Sequence, residues 1–526
     1  MGRLTWQHQR YEWHGTFAER VIPASAGFRP DASSRPVVWY TTEAALAQAL
    51  ADYADSEAAA RLREFAAAVA ASAVTATNFR PQCPVGQEPR PFQCAGVEWL
   101  LQHSRVLLAD EQGLGKTIQA ILAINHLPEV KRVLVLCPAS VKLNWENEFR
   151  NWLTRPLTVG VAAGNFCPAT DIVIANYDIV GRVKPRLAAL DLLVLDEVQA
   201  VKNPRAVRTI EVVGRESRFR PVAPITAARV ISLSGTPMEN RPAELWTLLH
   251  YLDPVAWPNA NAFYSRYCAA TWGPHGFDCT GASNLDELRL RLRSSGLMLR
   301  RLKADVLPEL PPKQRQIIEL GVGADRLLTD LKSRLSADFV NSVEGLRVAR
   351  RLVADAIATV RKESGLAKFA AALAHLKDQT ADGHKLVVFG WTTELLQRLH
   401  REFAGSVLVT GATPVPERQA AVERFTTATD CQVFFGNIRA AGVGINLQAA
   451  SHVVFVEFDW TPGTMEQAAD RCHRLGQRDS VLVQYLVLRG TLDAVVAKTF
   501  VRKAGLVGQA LDGLAEAVAL DLGVDL

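Results

Sequence analysis

Two series of short apolar runs, separated by polar and turn-forming stretches, set the rhythm of this chain. The first comprises Val106 to Ala109, Val133 to Cys137, Ile172 to Ala175, Leu192 to Leu195 and Val230 to Leu233. The second comprises Leu386 to Phe389, Val407 to Val409, Val433 to Phe435, Val453 to Val456 and Val481 to Val487. Runs that are apolar at nearly every position, rather than at alternate ones, predict strands covered on both faces. With helical or loop segments between them they predict two parallel sheets, each with its active residues at the strand ends. Ahead of both, residues 1–40 are rich in aromatics and arginine, and Val37 to Tyr40 reads as a short strand. Thr42 can cap a helix, and the alanine-rich segments 43–53 and 57–74 carry Leu46, Leu50, Leu62, Phe65 and Val69 at helical spacing. That is a small α+β module. Pro81, Pro84, Pro89 and Pro91 then make a linker, because prolines this dense continue neither element. Between Leu245 and Leu310 the pattern changes to short helices and loops. The expected division is therefore an accessory module at 1–80, a first sheet domain at 81–254, a helical insertion and linker at 255–364, and a second sheet domain at 365–526.

Composition narrows this only slightly. At 526 residues, with 48% hydrophobic and 21% charged positions, the chain has material for several full cores. No apolar run approaches the length that spans a bilayer, and residues 1–20 are too polar for a signal peptide, so a cytoplasmic protein is expected. A net charge of +5 is compatible with a nucleic-acid partner without requiring one. Arginine outnumbers lysine and alanine is abundant, which suggests a GC-rich bacterial genome. The eight cysteines form no C-x-x-C pair. Cys268, His275 and Cys279 could supply three metal ligands, but free thiols are the ordinary state in such a chain and no structural metal is expected.

The chemistry concentrates where strand meets loop. In VLLADEQGLGKTIQAI, residues 106–121, an apolar run is followed by Gly113 and Gly115, and Lys116 and Thr117 open a helix. Backbone N–H groups of such a loop can close around phosphate oxygens, the lysine reaches the outer phosphates, and the threonine hydroxyl can hold Mg²⁺. The strict phosphate-loop pattern has glycine where this chain has Asp110, so a plain glycine turn is the competing reading. Asp196-Glu197 ends the fourth run, where one carboxylate can hold Mg²⁺ and its neighbour can orient the attacking water. An exposed strand terminus is the bland alternative. Gln93, on a helix just before the loop, could read an adenine edge with its amide. Arg289, Arg291, Arg293, Arg300, Arg301 and Lys303 make a basic run, either a solvated face or a phosphate-facing one. The second sheet lacks any GK[ST]. It does carry a predicted helix, residues 464–475, which Gly476 would stop. Arg471 and Arg474 would project from one side of it and could reach a γ-phosphate.

Taken in order, Gln93, DEQGLGKT (110–117), CPASVKLNW (137–145), DEVQAVKN (196–203), LSGTP (233–237), LRRLKADVLPELPPK (299–313), AAGVGINL (440–447) and QAADRCHRLGQ (467–477) resemble the helicase motifs of the Swi/Snf-type DNA-dependent ATPases of helicase superfamily two. The wording of VKLNW, RPAELW, EFDWTPG and YLVLRGT looks closest to the annealing-helicase, HepA-related branch, and AGFRP…WYTTE looks like the leader of its bacterial relatives. The resemblance implies two RecA-like lobes, ATP and Mg²⁺ as ligands, and double-stranded or branched DNA as partner. It gives Gln93 the adenine, and Gly113, Gly115, Lys116, Thr117 and Gly444 the nucleotide. Thr117 and Asp196 receive the metal, Glu197 the water, and Arg471 and Arg474 the finger role. Gln199, Ser234, Gly235, Thr236 and Gln467 would couple hydrolysis to lobe motion, while Ser140, Tyr177, Arg439 and Asn446 would face DNA. Gln199 stands where the family usually has histidine, which opens the link between nucleotide and coupling motif to question. A translocase that remodels DNA without unwinding it is the reading this implies. A strand-separating DNA or RNA helicase, and a DNA clamp with a degraded ATPase, are the alternatives.

Overall fold

The computed structural model describes residues 2–217, 219–273, 276–320, 362–381, 383–441, 445–459, 461–488 and 510–512. Strands β1 (Arg3–Gln7), β2 (Arg10–His14), β3 (Arg29–Asp31) and β4 (Val38–Thr41) form an antiparallel sheet of order β1-β2-β4-β3. The helix Ser56–Ala71 packs on it, started by the Asp55 carboxylate, which accepts from the Ala58 N–H at 2.9 Å. Leu4, Tyr11, Trp13, Leu50 and Leu62 form the core of this module.

Every run of the first series becomes a parallel strand: β5 (Arg105–Leu108), β6 (Val133–Cys137), β8 (Ile172–Asn176), β9 (Leu190–Asp196) and β10 (Ala227–Leu233). A short β7 (Val159–Val161) closes one edge. After a small hairpin, β11 (Thr271–Gly273) and β12 (Gly276–Asp278), strand β13 (Met298–Leu299) closes the other. The sheet order is β13-β5-β10-β9-β6-β8-β7. In register, Leu233 lies beside both Leu108 and Asp196. The C-terminal ends of β5, β9 and β10 therefore open side by side on one edge, where parallel sheets bind ligands.

The second series gives β15 (Leu386–Gly390), β16 (Val407–Val409), β17 (Val433–Asn437), β18 (His452–Phe455) and β19 (Val481–Leu488), with β14 (Lys313–Leu320) on the edge. All are parallel, in the order β14-β19-β18-β15-β17-β16. The stretch 255–364, expected as an insertion, thus supplies an edge strand to each sheet, β13 to the first and β14 to the second. β13 is too short and β14 too polar to show as apolar runs.

The basic run is neither solvated nor phosphate-facing in its C-terminal half. Arg300, Arg301 and Lys303 are buried. Arg300 makes a two-pronged pair with Asp512 and donates to the Ala109 carbonyl, Arg301 pairs with Asp110, and Arg291 stacks over Trp257. Carboxylates distant in sequence neutralise Arg300 and Arg301, so the local alternation of arginine and leucine could not show it. Among the described residues no helix is long and apolar enough to cross a membrane. Of the three candidate metal ligands, Cys268 is buried, Cys279 is half-buried, and His275 lies outside the described residues.

Candidate active site

The loop from Asp110 to Gly115 carries the chain from β5 into the helix Lys116–Asn125. Gly115 adopts φ +72°, and a Cβ there would stand 2.3 Å from Gln93 Nε2, so only glycine serves. Lys116 is folded into the loop, donating to the carbonyls of Asp110 at 2.7 Å and Glu111 at 3.2 Å, and burial pushes its pKa down. Asp110, the departure from glycine, is 0% exposed. Its oxygens accept from Arg301 Nε at 2.9 Å and Nη2 at 2.5 Å, and from Gln119 Nε2 at 3.0 Å. Gln119 in turn accepts from Arg301 Nη2 at 2.8 Å. The residue that breaks the strict pattern is therefore an internal strut beneath the loop.

Asp196 ends β9 with its carboxylate held by the Trp145 indole N–H at 2.8 Å and the Glu197 N–H at 3.0 Å. Burial first, and the Glu197 carboxylate second, push its pKa up. A buried carboxylate in that position would be stabilised by a divalent cation. Thr117 opens onto the same cleft, so the donor set fits Mg²⁺. Glu197 itself sits at φ +50°, a left-handed conformation uncommon for a non-glycine residue, which aims its side chain off the strand end. Three side-chain amides meet it: Gln112 at 3.3 Å, Gln199 at 2.8 Å and, from the second lobe, Gln467 at 3.4 Å.

Gln199 bridges Glu197 and Ser234. A carboxylate only accepts, so the amide nitrogen must face Glu197 and the amide oxygen is left to accept from Ser234 Oγ, at 2.7 Å. One donor and one acceptor on a single side chain give the link that a neutral imidazole would give. Ser234 Oγ also accepts from the Thr236 N–H at 3.1 Å, and Gln467 Nε2 donates to Thr236 Oγ1 at 2.7 Å. A Cβ on Gly235 would come within 2.9 Å of the Gln112 backbone nitrogen, so this turn must pass the phosphate loop without a side chain.

The expected helix 464–475 is shorter than its sequence suggests. It runs Pro462–Ala469, and Arg471 and Arg474 lie on the turns that follow. Gln477 fixes those turns by donating to the carbonyls of Gln448, Ala450 and Cys472. Both arginines line a cleft of about 280 Å³ with Lys116, Thr117, Asp196 and Glu197. Burial lowers the pKa of both, and the neighbouring guanidinium adds to this at Arg474. Guanidinium groups do not give up their protons, so the pair creates a local demand for an anion.

Other sequence candidates lie elsewhere. Tyr177 does not face outward for DNA. It is buried, and its hydroxyl donates to the Asp196 carbonyl at 2.8 Å, bracing β9, because the apolar strand before it continues into the core. Gln93 is buried under the loop, donating to the Leu114 carbonyl and accepting from the Arg90 N–H, and does not line the cleft. Asn446 is exposed on the cleft wall, and Ser140 is half-buried on the turn Ala139–Val141. Arg439 lies on the helix Ile438–Ala441, and its side chain and Gly444 lie outside the described residues. Trp145, Gln112 and Arg301 were not foreseen at the site. The signal for Trp145 was the tryptophan ending VKLNW.

Two family models match in tandem, the SNF2-related domain over residues 92–327 and the helicase conserved C-terminal domain over 367–476. Similar curated proteins include the SWI/SNF-related matrix-associated actin-dependent regulator of chromatin subfamily A-like protein 1 of Xenopus tropicalis, 34% identical over 82% of this chain and 46% of that protein. The Caenorhabditis elegans homolog is 33% identical over 82% of this chain and 65% of its own length. The human DNA annealing helicase and endonuclease ZRANB3 is 32% identical over 82% and 41%. The chain thus spans less than two thirds of the length of these relatives. Among solved structures, the Sulfolobus solfataricus SWI2/SNF2 ATPase core in complex with dsDNA matches at 21% identity and a TM-score of 0.39, over 85% of this chain and 96% of that one.

Proposed function

We propose, from the premise that this chain belongs to the SNF2-related ATPases of helicase superfamily two, that it hydrolyses ATP between its lobes and uses the cycle of closure to move along double-stranded or branched DNA. The observation that carries this reading is the Gln467 amide. From the second lobe it reaches both Glu197 and Thr236 of the first, so the groups assigned to hydrolysis and to coupling share one interlobe contact. In this reading Gly113, Gly115, Lys116 and Thr117 hold the phosphates, and Glu197 orients the attacking water. Arg471 and Arg474 answer charge that develops on the γ-phosphate. Thr117 and Asp196 would hold Mg²⁺, which when bound neutralises phosphate charge. Ser234, Gly235 and Thr236 pass the state of Glu197 to the lobe interface through Gln199. Adenine recognition by Gln93 would require its amide to leave the Leu114 carbonyl.

Relatives that bear the name of annealing helicase support a remodelling role, at forks or on protein–DNA complexes, without conventional unwinding. The composition supports a bacterial, cytoplasmic setting. The decisive experiment measures steady-state ATPase with duplex, forked and single-stranded DNA and with RNA. Duplex or forked DNA should stimulate most. RNA outperforming duplex, or turnover indifferent to nucleic acid, would remove the translocase reading. Strand separation, the second reading, has one observation behind it: the β11–β12 hairpin presents Trp272 at 81% exposure, an aromatic surface on which an unpaired base could stack. Efficient unwinding of a tailed duplex, lost in Trp272→Ala, would favour it.

A further inference from the structure

The segment from Arg300 to Lys313 leaves β13 in the first sheet and enters β14 in the second, passing beside the phosphate loop. Lys303, on this crossing, is 4% exposed. Its Nζ donates to Asp470 Oδ1 at 2.9 Å and to the His473 carbonyl at 2.8 Å, and stands 3.8 Å from Glu111 Oε1. Its backbone N–H donates to Glu111 Oε2 at 2.7 Å. One residue therefore grips Glu111 of the phosphate loop and Asp470 of the arginine turn.

Asp470 continues the connection. Its carbonyl accepts from Arg474 Nε at 3.1 Å, and its carboxylate also accepts from Lys313 Nζ at 2.9 Å. The stem of Arg474 returns to the phosphate loop, where a Cβ on Gly113 would meet Arg474 Cγ at 3.3 Å. The path runs from Glu111 through Lys303, Asp470 and Arg474 back to Gly113, a closed ring across the lobe interface. A buried ammonium is costly unless neutralised, and the two carboxylates that neutralise this one come from different lobes. The arrangement is thus favourable only when the lobes are together.

We propose that Lys303 is a positioning residue for hydrolysis. Its ammonium ties the arginine turn of the second lobe to the phosphate loop of the first, so that Arg471 and Arg474 meet the phosphates in one register. This rests on reading the cleft as an ATP site. Lys303 does not line that cleft; it acts through Asp470, and its effect belongs to turnover rather than to ATP capture.

The test is steady-state ATPase of the full chain at saturating duplex DNA for Lys303→Met, Asp470→Asn, their double variant and Lys303→Arg. Lys303→Met should lower kcat by about 10- to 100-fold while the ATP KM stays within about 3-fold, the split expected when closure rather than binding is lost. The double variant should be no worse than the poorer single one, because both remove the same tie. Lys303→Arg, which keeps the charge, should recover part of kcat. Wild-type kcat in Lys303→Met, losses that multiply in the double variant, or a raised KM at unchanged kcat would each overturn the proposal. Should Lys303→Met fail to fold, the isosteric Asp470→Asn carries the same kcat-against-KM comparison. A wild-type chain inert toward ATP would instead overturn the reading of the cleft, and this proposal with it.

Discussion

Lys116 shows how much of the site rests on single side chains. Its ammonium is folded onto loop carbonyls within hydrogen-bonding reach, so it can transfer to phosphate oxygens with little reorganisation. Lys116→Ala should abolish hydrolysis yet leave duplex binding at low salt, measured by fluorescence anisotropy. Near-normal turnover would place the nucleotide elsewhere. Glu197→Gln keeps the shape but removes the carboxylate that orients water, so nucleotide should bind and remain uncleaved in a filter-binding and single-turnover comparison. Loss of ATP binding as well would contradict the assigned role. Gln199 allows a pH test. An amide does not titrate, so its Glu197-to-Ser234 bridge is insensitive to acidity, whereas Gln199→His places an imidazole that loses its acceptor on protonation. DNA-stimulated ATPase of that variant should fall as pH drops through about 6.5, the ordinary imidazole range, relative to wild type. An identical pH profile would show that the bridge does not carry coupling. Lys116, Thr117, Asp196 and Glu197 could be picked out from the sequence because their chemistry is local to a strand end. Asp110 and Arg301 could not, since a buried pair separated by 191 positions leaves no periodic trace.

At the scale of elements, the turn after the helix Pro462–Ala469 brings Arg471 and Arg474 into the cleft beside Lys116 and Glu197. Arg474→Ala should leave ATP affinity within several-fold and lower kcat by on the order of 10³, since a finger acts mainly on transition-state charge. Unchanged kcat in both the Arg471 and Arg474 variants would mean the turn does not act on the phosphates. The same turn holds His473, whose Nε2 lies 2.8 Å from the Pro311 carbonyl and whose Nδ1 faces Lys303 at 3.4 Å. Burial first, then the Lys303 ammonium, push its pKa down to about 4. Lys313 opposes its charge too, while Asp470 favours it. The unfolded imidazole titrates near 6.5, so between about 4 and 6.5 the unfolded chain holds more protons and stability rises with pH. This contribution is complete above about 6.5 and is lost as pH falls toward 4. Urea denaturation at pH 5 and pH 7 should show a smaller pH difference for His473→Gln than for wild type. Equal differences would mean that His473 is not the group responsible. The helix itself could be foreseen, but its end could not: Arg471, Arg474 and Leu475 favour helix past Ala469, and packing against Gln448 and Ala450 through Gln477 bends the chain away.

For the whole molecule the expectation is duplex-stimulated ATPase that weakens steeply with salt, because gripping a backbone releases counterions. A plot of log stimulation against log salt should fall with a slope of several, and a flat plot would argue against a backbone-tracking motor. The two-sheet architecture could be foreseen because strands buried on both faces must be apolar nearly throughout, and every run of the two series is a strand. That Gly113, Gly115, Lys116, Thr117, Asp196, Glu197, Arg471 and Arg474 line one cleft could be expected, because each lies in a short local pattern at the end of an apolar run or a helix. The edge strands could not be foreseen, since a strand paired on one side tolerates polar residues, as Lys313–Leu320 does. Nor could the sequence place Tyr177 beneath Asp196, bring Gln467 onto Glu197, or bury Arg300, Arg301 and Lys303. Tyr177, Arg300 and Arg301 are placed by distant stretches that meet inside the first sheet domain, Gln467 and Lys303 by the surfaces that meet between the two lobes. A charge shows its partner only once the chain between them has folded.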